Sequence, residues 1–254
     1  GQPDARDLVI QSAHNYEKSW RDAMHWSYTQ TDVTTDDGGK EVDVSQIAPL
    51  DGTPYERVIS KNGRPLTPEE QRKENEKYDR EMKRRQRETP AERTARIEKY
   101  EKERSFIKDV PGAYSFRLRG EEAINGRPAW VVDLNPRQTF IPTTSHGSIL
   151  KHIKGKLWID KQDLHWVKAV ADVVDTVSFG FILARIGSGA HISMDFTRLR
   201  DALWVPRSVT VRGEARVLLV HTKSLDENLT FSNYQLHMPS TEVAGASNAE
   251  GQNR

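Results

Sequence analysis

The sequence has no cysteine, and this absence excludes disulfide bonds, thiolate nucleophiles and cysteine-ligated zinc sites. It also has no run of the roughly 20 apolar residues that a helix needs to cross a bilayer. The net charge is only +1, so no overall field draws the chain to nucleic acid or to an anionic membrane. The chain starts at Gly1 rather than at a methionine, and we therefore expect that an N-terminal segment, such as a signal peptide, has been removed.

Motifs for catalysis and nucleotide binding are missing as well. The eight histidines include no HExxH or HxH pair, and the chain has neither a GxSxG serine motif nor a glycine-rich phosphate loop. We therefore expect no catalytic residue set, no metal site and no cofactor. His146, which follows Ser145 and precedes Ser148 by two residues, and His152 leave a secreted hydrolase as a weaker alternative.

The four residues Asn-Gly-Arg-Pro occur twice, at 62–65 and at 125–128. Asn-Gly is the pair favoured in two-residue type I′ hairpin turns, because Asn tolerates positive φ and Gly adopts it freely. Sequence typical of β-strands flanks the second copy on both sides, so we predict a hairpin there. The first copy is followed after a short segment by a helical pattern and is less clear. We expect Arg64 and Arg127 to be solvated and the motif to be architectural.

A highly charged segment interrupts the chain, since 25 of the 41 residues from 68 to 108 are Asp, Glu, Lys or Arg. TPEE at 67–70 and TPAE at 89–92 each place a capping Thr before Pro, with Glu three residues after the cap. We predict two helices, at about 68–88 and 90–107, in an insertion at 67–108. It is either a lid or partner-binding arm, or a solvated insertion with no special role.

The start of the chain predicts an amphipathic helix, because Val9, Ala13, Tyr16, Trp20 and Ala23 recur every three or four residues. The rest is dominated by short segments typical of β-strands. After residue 108 these are YSFRLRG, AWVVDL, GKLWID, HWVKAVADVV, HISMDF, WVPRSVTVRG, ARVLLVHT and LTFSNYQL.

About eleven strands are expected in total, and their short connections favour antiparallel neighbours. A sheet this large curls or closes rather than staying flat. We predict an α+β, mainly antiparallel β fold: a strongly curved or half-open β-barrel with an N-terminal helix and the two-helix insertion. Residues 1–238 form a single domain in this interpretation, and 239–254 form a disordered tail.

Large apolar side chains from many strands either fill a β core or line a cavity for an apolar ligand, and the sequence leaves both open. The most hydrophobic run is VSFGFILARI at 177–186. Alternation along the strands points about half of any such set outward. The candidate ligand-binding residues are Trp130, Trp158, Trp166, Phe179, Phe181, Ile182, Met194, Phe196 and Trp204.

GKLWIDKQDLHWVKAVADV at 155–173 resembles a strand pair of the LolA/LolB-like lipoprotein-localisation superfamily, which includes RseB-like periplasmic sensors. SFRLRGEEAINGRPAWVVDL at 115–134 is similar to that family's preceding hairpin. The resemblance implies an unclosed β-barrel with a helical lid, which binds lipid acyl chains in the bacterial periplasm without catalysis or a cofactor. The insertion departs from the pattern, because it carries more charge than an apolar-faced lid needs.

Two functional hypotheses of different classes follow. The first is a non-enzymatic periplasmic carrier or envelope sensor that holds a lipid acyl chain or a lipoprotein in an apolar cavity of the curled sheet. The second is an interaction module that docks an envelope protein through helices 68–107. Neither involves nucleic acid, and both place the protein at most at the periphery of a membrane.

Overall fold

The computed structural model describes residues 2–36, 38–175, 177–179, 184–217 and 221–237. The helices are α1 (Ala5–Ala23), α2 (Pro68–Gln86), α3 (Pro90–Arg104) and α4 (Val110–Ala113), with 3-10 turns at Ser105–Asp109, Gly147–His152 and Arg200–Ala202. The strands are β1 (Trp26–Asp36), β2 (Gly39–Leu50), β3 (Thr53–Lys61), β4 (Arg64–Pro65), β5 (Tyr114–Ile124), β6 (Arg127–Pro136), β7 (Ile153–Asp160), β8 (Trp166–Val173), β9 (Val177–Phe179), β10 (Ala184–Ile186), β11 (His191–Arg198), β12 (Trp204–Val217) and β13 (His221–Leu236). The predicted tail at 239–254 lies outside the described residues, and a single domain at 1–238 stays a prediction.

All these strands belong to one antiparallel sheet. Its main path has eleven strands in the order β4-β3-β2-β1-β13-β12-β11-β8-β7-β6-β5, and β9 and β10 branch from β12. The end strands β4 and β5 are not paired with each other in the described part, so the sheet is open. The predicted half-open, curled antiparallel sheet with an N-terminal helix and a helical insertion is confirmed.

Helix α1 packs against one face of the sheet, which we call the inner face. Asp4 caps the helix by accepting hydrogen bonds from the backbone N–H groups of Arg6 and Asp7 at 2.8 and 3.1 Å. Val9 is fully buried at the interface, and the indole N–H of Trp166 in β8 donates to the hydroxyl of buried Ser12 at 2.9 Å. The helix also packs against β5, β7 and β12, so these contacts fix it over the part of the sheet that runs from β5 to β12.

Strand pairing defines which other side chains share the inner face. Directly paired residues of antiparallel strands point to the same side of a sheet, so the register can be followed from strand to strand. One row of directly paired residues crosses eight strands, from the core at β5 to β1. It consists of Leu118, Val132, Leu157, Ala169, Met194, Val209, Leu229 and Asp32.

The charged insertion forms α2 and α3 as predicted, and both capping boxes are present. Their junction is held to the turn between β2 and β3. Arg85 is buried and donates to the Leu50 carbonyl, to the Thr53 carbonyl at 3.1 Å and to the Thr53 hydroxyl at 2.9 Å. Arg96 donates to the same hydroxyl at 2.8 Å and to the Asp51 carbonyl at 2.9 Å. The guanidinium groups of Arg85 and Arg96 therefore both form hydrogen bonds with the tight turn between β2 and β3.

Helix α2 also covers an exposed sheet edge. Strand β4 has only two residues, so most of β3 lacks a partner strand on that side. Glu74 of α2 accepts from the backbone N–H of Val58 at 3.3 Å, and the ring of Tyr78 packs against Tyr55 and under Arg57. Covering an edge in this way blocks pairing with another chain.

Both Asn-Gly pairs form two-residue hairpin turns, as their chemistry favours. Asn62 and Asn125 each have φ 51°, and the following Gly63 and Gly126 have φ 72° and 78°. The hairpin prediction is confirmed, and it extends to the less clear first copy.

The expectation that both arginines are solvated holds for Arg64, whose side chain is 51% exposed, but Arg127 is half-buried, and each of them is ion-paired. Arg64 makes a bidentate pair with Glu70 at 2.8 and 3.1 Å, and Arg127 makes one with Asp160 at 2.6 and 2.9 Å. The two copies therefore perform the same task, in which a turn presents an Arg to the carboxylate of a neighbouring element. They differ in burial, because the side chain of Asp160 is completely buried and that of Glu70 is 30% exposed.

This difference predicts unequal effects of removing each Arg. Burial alone would raise the pKa of Asp160, but hydrogen bonds from Arg127 and from the backbone N–H groups of Asp163 and Gln162 hold it below its ordinary value. Arg127→Gln leaves a buried carboxylate without its counter-ion and should lower the free energy of unfolding by about 3 kcal/mol. Urea denaturation at neutral pH measures this change.

Arg64→Gln is the matched control, since it removes the same bidentate pair from a solvated site. We expect a much smaller loss of stability. Equal losses in the two variants would contradict the assignment of Asp160 as a buried, paired charge.

Candidate functional site

The apolar part of the inner face continues beyond α1 as a patch of half-buried aliphatic side chains. The patch draws on four adjacent strands, β8, β11, β12 and β13. Except for Ala171, which follows Val170, its members alternate with polar residues along their strands, and none is fully buried. We call these residues the inner-face patch: Ala171, Ile192, Met194, Val209, Val211 and Leu229.

Acidic side chains border the patch on the β13–β1–β2 side. Val211 is paired with Glu227, Leu229 is paired with Asp32, and Asp32 is paired with Asp43. Burial, and then the nearby charge of Asp32, raises the pKa of Glu227. Burial also raises the pKa of Asp32, with Asp43 contributing in the same direction. A ligand on the patch therefore contacts an apolar surface that has carboxyl groups along one border. These carboxyl groups disfavour a ligand that brings another negative charge to that border.

At its other side the patch meets a packed aromatic cluster, which we call the aromatic plug. Tyr16 of α1 stacks on Trp166 at 4.4 Å between ring centroids and meets Phe196 edge-on at 5.7 Å. His165 stacks on Trp204 at 5.5 Å with an interplanar angle of 5°. The aromatic rings of the plug are packed against one another, so the part of the inner face that they occupy belongs to the hydrophobic core.

His165 is the one histidine that the plug encloses, with 2% of its surface exposed. Its Nδ1–H donates to the backbone carbonyl of Trp166 at 3.0 Å, and Nε2 has no hydrogen-bond partner in the described part of the chain. Burial lowers the pKa of His165 to about 4. The ring is therefore neutral at physiological pH and packs as an aromatic group.

A second polar network fixes the strand ends beside the plug. Asp163 accepts from Arg127 at 3.3 Å, from Arg198 at 2.7 Å and from the indole N–H of Trp204 at 2.9 Å. Asn15 of α1 donates to the carbonyl of Asp163 at 3.1 Å. Asp163, in the turn between β7 and β8, thus links α1 to the sheet.

The residues proposed from sequence as ligand-binding fall into different environments. Trp166, Phe196 and Trp204 lie in the plug, with at most 6% of their surface exposed, and Met194 lies in the inner-face patch. Phe179 is in the short strand β9, and Phe181 and Ile182 lie outside the described residues. That any of them contacts a ligand stays a prediction.

Trp130 and Trp158 lie on opposite faces. Trp130 is paired with Ile159 of the core, whereas Trp158 is paired with Val131 and is therefore on the outer face. The indole N–H of Trp158 donates to Glu122 at 2.7 Å, and two lysines lie over its ring. Aliphatic members of the patch were missed, although the alternation of Val209 and Val211 with polar residues in RSVTVRG is a readable signal.

The histidines do not converge. Among the described residues, no three His, Asp or Glu side chains are grouped so that they could hold a metal ion. His152 lies near Asp175 at 3.3 Å and His191 lies near Asp172 at 2.8 Å, both on the exposed surface. His146 directly precedes the 3-10 turn at Gly147–His152.

Two further clefts lie on the helices rather than on the sheet. One, of about 330 Å³, lies between α1 and α3 and mixes Trp20 and Ile107 with acidic and basic side chains. The other, of about 890 Å³, lies at the junction of α2 and α3 and is lined mainly by Arg and Lys. Neither has the apolar lining that an acyl chain requires.

No protein-family model and no curated protein sequence matches the chain. Solved structures do. The chain is similar to a Vibrio parahaemolyticus domain assigned to outer-membrane lipoprotein sorting, at 9% identity over 92% of this chain and 95% of that one, with a TM-score of 0.38. It is also similar to a LolA superfamily protein from Nitrosomonas europaea, at 10% identity over 92% and 94% of the two chains, with a TM-score of 0.38.

A third similar structure is that of Pseudomonas aeruginosa MucB, solved with MucA, at 14% identity over 91% and 94% of the chains and a TM-score of 0.27. Structures of the superfamily that the sequence resembles are thus among those similar to this chain. At such identities and TM-scores the likeness transfers no function, which has to rest on the residues of this chain.

The buried state of His165 predicts a specific pH dependence of stability. The unfolded chain takes up a proton at His165 near pH 6.5, roughly its ordinary pKa, whereas the native state takes it up only near pH 4. The native form is therefore favoured above this range, and about 3 kcal/mol of unfolding free energy is lost as the pH falls from 7 to 4. Urea denaturation across this pH range measures the loss.

His165→Gln should flatten this part of the stability profile, whatever its effect at neutral pH. The control is His191→Gln, because His191 is exposed and its replacement should leave the slope unchanged. An unchanged slope in the His165 variant would show that this histidine is not buried in the neutral form.

Proposed function

We propose that this protein is a non-enzymatic carrier or envelope sensor that binds an aliphatic acyl chain, of a lipid or lipoprotein, against its inner-face patch. The observation that supports the proposal is the inner-face patch, a contiguous, half-exposed aliphatic surface across four strands. It lies on the inner face of the sheet, beyond the part that α1 and the aromatic plug cover. An apolar surface left on the inside of a curved sheet is typical of a binding site.

The patch suits an acyl chain better than a polar or aromatic ligand. Its side chains are aliphatic, and they offer dispersion contacts and area without directional hydrogen bonds. Roughly ten buried methylenes supply roughly 8 kcal/mol of transfer free energy, before the cost of ordering the ligand is subtracted. This gross gain has to exceed the cost of association for the ligand to bind, and it requires no catalytic or cofactor chemistry.

The acidic border narrows the choice of head group. Burial and the charge of Asp32 already raise the pKa of Glu227, and burial, with Asp43, raises that of Asp32, so a free fatty-acid carboxylate at the same place would add a third negative charge. An acyl chain attached through a neutral amide or ester, as in an acylated protein, avoids this repulsion. A lipoprotein is therefore the ligand class we favour.

The bacterial periplasm is the compartment in which such a ligand occurs, and we include it in the proposal. In the described part of the chain, no helix has the length and the apolar character needed to cross a membrane.

Polar substitutions in the patch should weaken binding of an acylated ligand. We expect about a tenfold loss of affinity for a dansyl-labelled, singly palmitoylated dipeptide amide, because three aliphatic contacts are replaced by groups that prefer water. The measurement is a fluorescence titration of the variant Met194→Gln, Val209→Thr, Leu229→Gln.

The control replaces half-buried valines on the outer face of the same sheet and should bind normally. Equal losses in the two variants, or no uptake of the lipopeptide by the wild-type protein, would contradict the proposal. The control variant is Val33→Thr, Val42→Thr, Val170→Thr.

A further inference from the structure

The junction of α2 and α3 carries a cleft with a strong excess of positive charge. Its volume is about 890 Å³, and one of its lining residues, Arg96, also donates to the hydroxyl of Thr53 at the start of β3. Six basic residues and only two acidic ones line it. We call it the basic cleft: Arg80, Lys83, Arg84, Arg87, Glu88, Glu92, Ala95, Arg96 and Lys99.

Both acidic residues of the basic cleft are engaged in bonds within the helices. Glu88 accepts from Arg84 at 2.9 Å and from Arg96 at 2.7 Å. Glu92 accepts from the backbone N–H of Thr89 at 2.8 Å and closes the capping box of α3. Glu88 is therefore already paired with two cations, and Glu92 is held by hydrogen bonds at the start of α3.

Four of the cations are free. Arg80, Lys83, Arg87 and Lys99 are exposed, and none of them has a carboxylate oxygen within 4.0 Å among the described residues. Elsewhere in the same helices acids and bases pair at helical spacing, as in Arg72–Glu76 and Lys73–Glu69. These four unpaired cations lie together in the basic cleft, and a concave surface concentrates their field.

The fold does not need these four cations. The junction is attached to the sheet by other basic residues, Arg85, Arg93 and Arg96, which bond to the turn at 50–53. The positive charge of the insertion is thus divided between residues that bind the turn at 50–53 and four exposed residues that have no acidic partner in the described part of the chain.

We propose that the basic cleft binds an acidic segment of a partner protein, through carboxylates that pair with Arg80, Lys83, Arg87 and Lys99. Clusters of Arg and Lys recognise acidic motifs in this way. Complementary charge favours this occupant, and the concave shape between two helices fits an extended or helical peptide.

Two other anionic partners fit the cleft less well. A membrane surface is flat and is held by apolar side chains that insert into it, whereas no exposed large apolar residue of the described chain lies on α2 or α3. Single-stranded nucleic acid stacks its bases on aromatic rings, and no aromatic residue lines the cleft. This proposal does not depend on acyl-chain binding, and either can fail without the other.

The test is fluorescence anisotropy of a fluorescein-labelled, glutamate-rich peptide at low ionic strength, with its glutamine counterpart as the neutral reference. The full chain should bind the acidic peptide, and added salt should release it. Loss of the four free cations should weaken binding by about tenfold. The cleft variant is Arg80→Gln, Lys83→Gln, Arg87→Gln, Lys99→Gln.

A control variant removes four exposed cations elsewhere and has the same net charge. It should bind the peptide with an affinity within about twofold of wild type, and both variants should still take up the palmitoylated dipeptide amide. Equal weakening in the two variants, or no binding by wild type, would overturn the proposal. So would sedimentation with phosphatidylglycerol vesicles that depends on the same four cations. The control is Arg6→Gln, Lys18→Gln, Lys40→Gln, Lys61→Gln.

Discussion

The inner face of an eleven-stranded sheet is only partly covered by α1 and by the core residues Ile107, Val110, Phe140 and Leu150 that pack beside it. Helix α1 has 19 residues and is about 28 Å long. Eleven strands at their usual spacing extend about 48 Å around the sheet. Where α1 and the aromatic plug reach, the inner face is core; where they end, the aliphatic row continues half-exposed. The proposed binding surface follows from this mismatch.

Incomplete cover of the sheet also accounts for the position of the charged insertion. Strand β3 is nearly an edge strand, because β4 has only two residues, and α2 lies along it with Glu74 bonded to a strand N–H. Two arginines fasten the helical junction to the turn between β2 and β3. Once attached by these contacts, the insertion presents its remaining cations to solvent, so covering an edge also creates a charged surface.

Local chemistry made much of this fold predictable. Thr-Pro followed by Glu marked the starts of α2 and α3, and Asn-Gly marked both hairpin turns. Non-local pairing was not predictable. The partner of Arg127 is Asp160, 33 residues away in sequence, and only the register of β6 with β7 brings them together. Arg127, which the motif led us to expect in solvent, is therefore paired with the buried carboxylate of Asp160.

The candidate site was predicted less well, for a related reason. Large aromatic residues drew the prediction, but α1 supplies Tyr16 and Ser12 as partners for Trp166, which turns it into core. The pairing of β7 with β8 also shifts after Trp158, and this shift places Trp166 and Lys168 on opposite faces although they are two residues apart. The aliphatic residues that remain half-exposed are visible only when the register is followed across four strands.

Native mass spectrometry of the protein purified from a bacterial periplasm, followed by organic extraction and lipid analysis, tests the central claim most directly. A near-stoichiometric adduct that releases an acylated molecule is the result we predict. A bare protein mass, together with an extract that contains no acyl chain, would contradict the assignment of the inner-face patch as an acyl-binding surface.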